Sequence, residues 1–477
     1  MTMASLESLA HRLLTTALIY FLFLQLAIRF GIFGPTILDL GTQLGVSQSQ
    51  MSFVFSVTSI GVCVGAISSG FLFKWVPKQV ALASIVVMLG IVVSFVTLIQ
   101  DYYFFMVLQF IIGVTSGAAI NACEAWILEI WQDSCPPYMQ ALQFFRGLGY
   151  ILGPIIVEPF LIPEEDEDIS PTSKSINQTK ISGMVIKIVM NGTESTPSEL
   201  ENYIYIPYMI NGLMLVLAAI LVFFQYFYTV RKSRSANMMA SSQATIISTI
   251  TCEDKLSQSS DEKNEKESKR EEPKLYTFSI IILCSLFYLF FFEEVVVTYL
   301  ASFSANIDLH LTKSGGAFLT SIFNLCNVMG KGVSIVLALK LNHFTMLYMN
   351  LSVILISLVV LIIFSNTSLV MLWFGVCLLG VGLSSIIASL YALMESSITM
   401  NSMVCGVLNM SGTLGSVFVP LAIANYIESY PLSLIYASLF CALSCIVTLI
   451  VIHVLIGFRQ KQHKQNQLIE EKPVMKF

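Results

Sequence analysis

Charge is what this sequence has least of. Asp, Glu, Lys and Arg make up 12% of its 477 residues, about half the roughly 25% of an ordinary soluble domain. A water-soluble globular fold is thereby excluded, and a 56% hydrophobic composition with mean hydropathy +0.78 puts the chain in a bilayer. Histidine is scarce as well. The five present, His11, His310, His343, His453 and His463, are scattered. No metal-ligand spacing and no nucleophile elbow accompanies them, so neither an enzyme nor a resident metal or cofactor is expected. The basic residues form no continuous face, which leaves nucleic acid without a binding surface. The ten cysteines build no disulfide framework. Eight lie inside apolar runs, Cys135 and Cys252 fall in segments assigned to the cytoplasm, and no pair faces an oxidising side, so they read as small hydrophobes in helix packing.

What is present is a series of apolar runs, each near the 20 residues that a membrane helix needs. They lie at 13–38, 51–73, 79–100, 103–130, 138–161, 205–229, 275–300, 313–339, 344–365, 369–393, 402–425 and 432–457. The expected fold class is therefore an all-α membrane protein with twelve transmembrane helices. The first run is too long for a signal peptide and lacks a small-residue cleavage site, so it reads as a retained span. Polar stretches at 162–204 and 230–274 divide the chain six plus six: an N-terminal bundle 1–229, a cytoplasmic disordered linker 230–274, a C-terminal bundle 275–457 and a cytoplasmic tail 458–477. The linker, rich in Ser, Lys and Glu with few aromatics, has too little apolar surface to fold alone.

Orientation follows the placement of Lys and Arg rather than net charge. With the N-terminus in the cytoplasm, eighteen of the 25 fall on the cytoplasmic side, four outside and three within spans. That places the 162–204 loop outside, where its sequons at Asn177 and Asn191 are available for glycosylation, and predicts a multi-pass plasma-membrane protein with both termini cytoplasmic. The acidic run at 164–168 reads as a solvated face.

Ionisable residues inside spans are expensive and mark function. Here they are Arg29, Glu124, Arg146, Glu158, Glu293, Glu294 and Lys331. Gly113, Gly117, Asn121 and Glu124 share one face of the fourth span. Glu124 and Arg146, at matching depth on consecutive helices, predict either an ion pair or direct ion or substrate coordination by Glu124. Gln25 and Arg29 lie one turn apart in the first span, and Gly31, Gly34 and Pro35 beyond them are expected to weaken or break that helix. Arg29 and Glu158, both toward the outer side, predict a pair or an outer gate. Glu293 and Glu294 point about 100° apart on one helix, so only one faces the cavity. The stripe Glu294, Thr298, Ser302 favours Glu294. Asn324, Asn327 and Lys331, and likewise Asn409, Gly412 and Ser416, repeat an i, i+3, i+7 spacing that suits interhelical hydrogen bonding.

Two stretches carry a resemblance to a known family. Gly70-Phe-Leu-Phe-Lys74-Trp-Val-Pro77-Lys78, between the second and third spans, resembles the signature of the major facilitator superfamily, with Lys74 where that family has aspartate and Pro77 where it has glycine. Arg29-Phe-Gly-Ile-Phe-Gly-Pro-Thr36, Ala141-Leu-Gln-Phe-Phe-Arg-Gly-Leu-Gly149, Gly153-Pro154 and Glu158-Pro-Phe-Leu161 resemble the sodium-dependent glucose transporter 1 family within it. The resemblance implies two six-helix bundles and a sugar carrier, with an acidic residue of the seventh span, Glu293 or Glu294, in the cation-linked role. The expected sugar contacts are Gln25, Arg29, Asn121, Tyr288, Trp373 and Tyr391; the expected cation-coupling residues are Glu124, Glu293, Glu294 and Thr298; Arg146, Glu158 and Lys331 are the gating ion pairs. No cofactor is implied beyond a co-transported Na+ or H+. The implied partners are a small solute and the bilayer, with the chain acting as a monomer. Two other readings stay open: a carrier of another solute, such as an organic anion steered by Arg29 and Arg146, and a transport-inactive sensor or scaffold signalling through the linker.

Overall fold

The computed structural model describes residues 3–161, 203–250, 274–307, 309, 311, 313–424 and 430–470. Within the first half lie α1 (Met3–Leu44), α2 (Gln48–Leu72), α3 (Lys78–Phe95), α4 (Tyr102–Trp131), α5 (Pro136–Val157) and α6 (Tyr205–Ile250). The second half holds α7 (Lys274–Leu289), α8 (Glu293–Asn306), α9 (Lys313–Leu337), α10 (His343–Phe364), α11 (Leu369–Leu383), α12 (Ile386–Ser397), α13 (Ser402–Ala424) and α14 (Ser433–Glu470). Eleven stretches are long and apolar enough to cross a membrane, α7 with α8 and α11 with α12 each forming one of them. The twelfth span is α5, 22 residues long, whose hydropathy is lowered by Gln140, Gln143 and Arg146. Asn177 and Asn191 lie outside the described residues.

Local chemistry sets where the helices begin and end. Ser47 caps α2 in a capping box with Gln50, and the Asp101 carboxylate accepts from the Phe104 amide, 2.7 Å away, at the start of α4; both satisfy amides that a helix start leaves free. Gly45 follows α1 with φ +65°, the left-handed conformation that glycine adopts without a Cβ penalty. The α6 helix runs on to Ile250, so the first part of the stretch expected to be a disordered linker is helical. Its Ala, Met and Gln content suits a helix; residues 251–273 lie outside the described set.

The same helix pairings occur in both halves. In the first, α2 packs on α4, α1 on α5 and α3 on α6; in the second, α9 packs on α11, α7 on α13 and α10 on α14. Glycine sets the closest of these contacts. A Cβ at Gly65 of α2 would stand 1.9 Å from the Val114 carbonyl oxygen of α4, and one at Gly113 would stand 2.2 Å from that of Thr58. Small residues of this kind let membrane helices associate where lipid supplies no hydrophobic drive. The halves meet through α2 against α13 and α5 against α9.

One sequence expectation about a helix break is corrected. The α1 helix passes through Pro35 without interruption. The Thr36 hydroxyl donates to the Ile32 and Phe33 carbonyls and bonds the Tyr208 hydroxyl at 2.7 Å, while Gly31 lies against the backbone of Gly149, Tyr150 and Gly153. Packing against α5 and α6 thus holds the helix where proline removes one of its bonds. The break lies instead in the seventh span, at 290–292 between α7 and α8. There Leu289 presses its carbonyl on Gly415 of α13, where a Cβ would sit 2.0 Å from that oxygen. A second interruption separates α11 from α12 at Ser384 and Ser385.

Candidate functional site

The described hydrogen bonds between the halves gather from mid-span toward the end of the bundle where the chain begins, here the terminal end. Farthest from that end, Arg146 of α5 reaches Glu294 of α8 at 3.2 Å. The Tyr150 hydroxyl accepts from Arg146 at 3.3 Å and donates to Glu294 at 3.5 Å. The Glu294 side chain is 46% exposed and that of Arg146 21%, so this pair is only partly buried. Thr298, one turn on and also exposed, ties its hydroxyl to the Glu294 carbonyl. Beside it, Lys331 of α9 pairs with Glu293 at 2.9 Å, the two side chains 4% and 13% exposed. The break between α7 and α8 puts both glutamates in the first turn of a half-helix, where free amides and the helix dipole favour negative charge. Discontinuous helices of this kind form the solute sites of many transporters.

One layer nearer the terminal end the chemistry changes. Glu124 of α4 is fully buried and makes no ion pair among the described residues. The Tyr391 hydroxyl of α12 donates to its Oε2 at 2.7 Å, Asn409 Nδ2 of α13 donates to the same oxygen at 2.6 Å, and Gln143 Nε2 of α5 donates to Oε1 at 3.4 Å. The carboxylate therefore gathers donors from both halves, and its charge makes those bonds roughly twice as strong as neutral ones. Below it, Asn121 Nδ2 donates to Ser69 Oγ at 2.8 Å and to the Ser402 carbonyl of α13 at 3.0 Å, and Gln140 donates to Ser389 of α12 at 3.1 Å. Tyr288 of α7 is buried near Arg146. Its ring rests on Gly412, where a Cβ would come within 2.6 Å of it.

Several expected partners and contacts are corrected. Arg146 faces Glu294 rather than Glu124. Arg29 and Glu158 are not partnered: Glu158 is exposed at the end of α5, while Arg29 is buried with its guanidinium 3.9 Å from the Phe30 ring and its Nε and Nη2 without hydrogen-bond partners. Among the expected sugar contacts, Gln25 turns to Asn211 of α6. Asn121 and Tyr391 are sealed between the halves, and Trp373 packs edge-on against the exposed Phe318. A small cavity lined by Phe30, Arg146 and Tyr150 among others has a volume of about 10 Å³, enough for water but not for a hexose. Sequence reasoning passed over Gln143 and Tyr150, which share a face with Arg146 at i−3 and i+4; that spacing was the available signal.

At the terminal end, Gly70 packs on the Met403 backbone and Lys74 points its ammonium at the Met403 sulfur, 3.7 Å away, so the lysine at the aspartate position of the signature adds to the contact between halves. Lys78 pairs instead with Glu129. Between α4 and α5, burial pushes the Cys135 thiol up, with the nearby Glu395 acting in the same direction. It stays protonated and inert, and the described cysteines are all free.

The Major Facilitator Superfamily family model matches residues 19–162 and 200–420. Major facilitator superfamily domain-containing protein 4A of Danio rerio is 23% identical over 425 residues, covering 83% of this chain and 79% of that protein. Sodium-dependent glucose transporter 1 of Homo sapiens is 24% identical over 427 residues, covering 86% of this chain and 73% of its own length. Among solved structures, the fold is similar to that of the transporter FucP in its outward conformation, with TM-score 0.63, 14% identity and coverage of 93% of this chain and 99% of that one. It is likewise similar to the proton:xylose symporter XylE bound to 6-bromo-6-deoxy-D-glucose, with TM-score 0.66, 12% identity and coverage of 94% and 96%.

Proposed function

This chain belongs to the major facilitator superfamily, and from that premise we propose that it carries a hexose or a closely related polar solute by alternating access, with a cation, Na+ or H+, bound in the same cycle. The observation that supports this most is the position of Glu124: a buried carboxylate whose donors come from α5 in one half and from α12 and α13 in the other. With the terminal end closed, solute enters from the opposite end and meets Arg146, Tyr150, Glu294 and Thr298. These supply the paired donors and acceptors, beside an aromatic face, that sugar hydroxyls need. A cation reaching Glu124 neutralises its charge and weakens the bonds to Tyr391 and Asn409. Hydrogen bonds to a charged group contribute about 1.5–3 kcal/mol each, so losing their charge assistance shifts the closed state appreciably. The halves then rock apart at the terminal end.

The two bundles, 1–229 and 275–457, are the moving bodies in this account, with 230–274 as tether and 458–477 as tail. The bias of Lys and Arg supports termini in the cytoplasm of a plasma-membrane protein, and hence a glycosylated outer loop at Asn177 and Asn191. One charge crossing 100 mV supplies about 2.3 kcal/mol, which gives coupling its use. The names of the relatives add support for a sugar: one is called a sodium-dependent glucose transporter and one structural neighbour a proton:xylose symporter.

Proteoliposomes containing the purified chain, given a labelled non-metabolised glucose analogue, test the reading. Accumulation driven by an inward sodium or proton gradient is expected, the gradient that works identifying the cation. A folded protein that neither accumulates nor exchanges the analogue contradicts it. Arg29 favours a second reading: its buried guanidinium, with Nε and Nη2 lacking partners, would suit an anionic solute, in which case a labelled organic anion exchanges where the sugar does not.

A further inference from the structure

A second cavity lies away from the site just described, inside the terminal end of the first bundle. It has a volume of about 410 Å³ and, among the described residues, is walled by α1, α3, α4 and α6. Arg12 and His11 of α1, Gln79 of α3, and Gln225 and Thr229 of α6 line it together with Trp126, and among the described residues no carboxylate does. Arg12 is exposed and makes no ion pair among the described residues. His11 Nε2 bonds the Thr229 hydroxyl at 3.0 Å. Gln225 is 91% buried, its relative exposure being 9%. Its amide nitrogen donates to Thr15, which in turn donates to the His11 carbonyl, so the nitrogen is fixed as the bonded end. Its Oε1 has no partner among the described residues, on a side chain that lines the cavity. Such a group calls for a donor from outside the protein.

We propose that this cavity binds a phosphate ester bearing a free hydroxyl, held with its phosphate on Arg12 and Gln79 and its hydroxyl on Gln225 Oε1. A cation and an amide suit the phosphate oxygens, and the orphan acceptor selects a hydroxylated ester over a bare anion. The surroundings point to a lipid headgroup as the source. Leu13 and Leu14, next to Arg12 on α1, are 47% and 59% exposed. Phe224 and Phe227, either side of Gln225 and Tyr226 on α6, are also exposed. Acyl chains would lie along these apolar side chains while the headgroup enters the cavity. Trp126 and Tyr226 supply the interfacial aromatics that sit at headgroup level.

The test uses the purified full chain in detergent, with melting temperature and native mass spectrometry as readouts. The probes are dioctanoyl-phosphatidylinositol, dioctanoyl-phosphatidylcholine and soluble inositol 1-phosphate. The inositol lipid is expected to bind and raise the melting temperature. Arg12→Gln, a change at an exposed side chain, is expected to weaken it at least tenfold. Gln225→Met removes the hydroxyl acceptor and is expected to abolish the preference for the inositol lipid over the choline lipid; because Gln225 also holds Thr15, Gln79→Leu serves as a second cavity variant, expected to weaken binding without touching that bond. Tighter binding of the lipid than of inositol 1-phosphate identifies the membrane as the source; equal binding identifies a soluble ester in the same site. An inositol lipid that binds no better than the choline lipid, together with no binding of inositol 1-phosphate, would overturn the proposal, as would unaltered binding by Arg12→Gln and Gln79→Leu.

Discussion

Two layers of polar residues cross the centre of this molecule, and they balance charge in different ways. In the layer farther from the terminal end, each carboxylate has a cation: Glu294 has Arg146 and Glu293 has Lys331. In the dry layer nearer the terminal end, Glu124 has only neutral donors, drawn from both halves. Removing one member of a buried ion pair strands the other charge, which is costly. Neutralising a carboxylate held by hydroxyl and amide groups strands no charge and weakens only the hold between the halves. The first layer therefore suits a fixed, polar solute platform, and the second suits a switch.

The largest effect expected from this contrast is at Lys331. Lys331→Met leaves Glu293 buried without its cation and should destabilise the second bundle by about 3–5 kcal/mol. Adding Glu293→Gln should recover most of that loss, both read from thermal melting of the detergent-solubilised protein. Equal melting of the single and double variants would mean that the pair is not what Lys331 contributes. Tyr391→Phe deletes one donor to Glu124 and should cost the closed state about 1.5–3 kcal/mol, visible as greater labelling of a cysteine introduced among the serines at the inter-half contact, such as Ser389→Cys, in a background that labels weakly when the terminal end is shut. Gly412→Ala drives a methyl into the Tyr288 ring and should cost about 1–3 kcal/mol as overpacking, with slower exchange of solute; unaltered exchange would separate Tyr288 from the moving parts. The smallest effect is at Thr298. Its hydroxyl is exposed and bonds only its own helix, so Thr298→Ala should leave melting within about 0.5 kcal/mol of wild type while raising the half-saturating solute concentration.

The spans and their grouping were legible because a bilayer imposes a length and a composition on every helix that crosses it. Even α5, the least apolar span, could be read from its length and its place in the series. The partners of the charged residues were less legible. Rise per residue gives the height of a side chain but not the direction it faces around a bundle, so Glu124 and Arg146 could be placed at one depth and still point to different neighbours. The break before Glu293 was also hidden, since 290–292 is a run of phenylalanines with no glycine or proline. Its cause lies on another helix, where Gly415 admits the Leu289 carbonyl. Conversely, Gly34 and Pro35 signal a break locally that packing against α5 and α6 overrides.

The most direct test of the account compares Glu124→Gln with wild type in proteoliposomes, measuring gradient-driven accumulation of a labelled glucose analogue beside its exchange across the membrane without a gradient. The account predicts that accumulation falls at least tenfold while exchange persists, because the solute platform at Arg146 and Glu294 is intact and only the cation-responsive hold between the halves is gone. Accumulation at the wild-type rate would contradict it and would return Glu124 to the role of a buried packing residue.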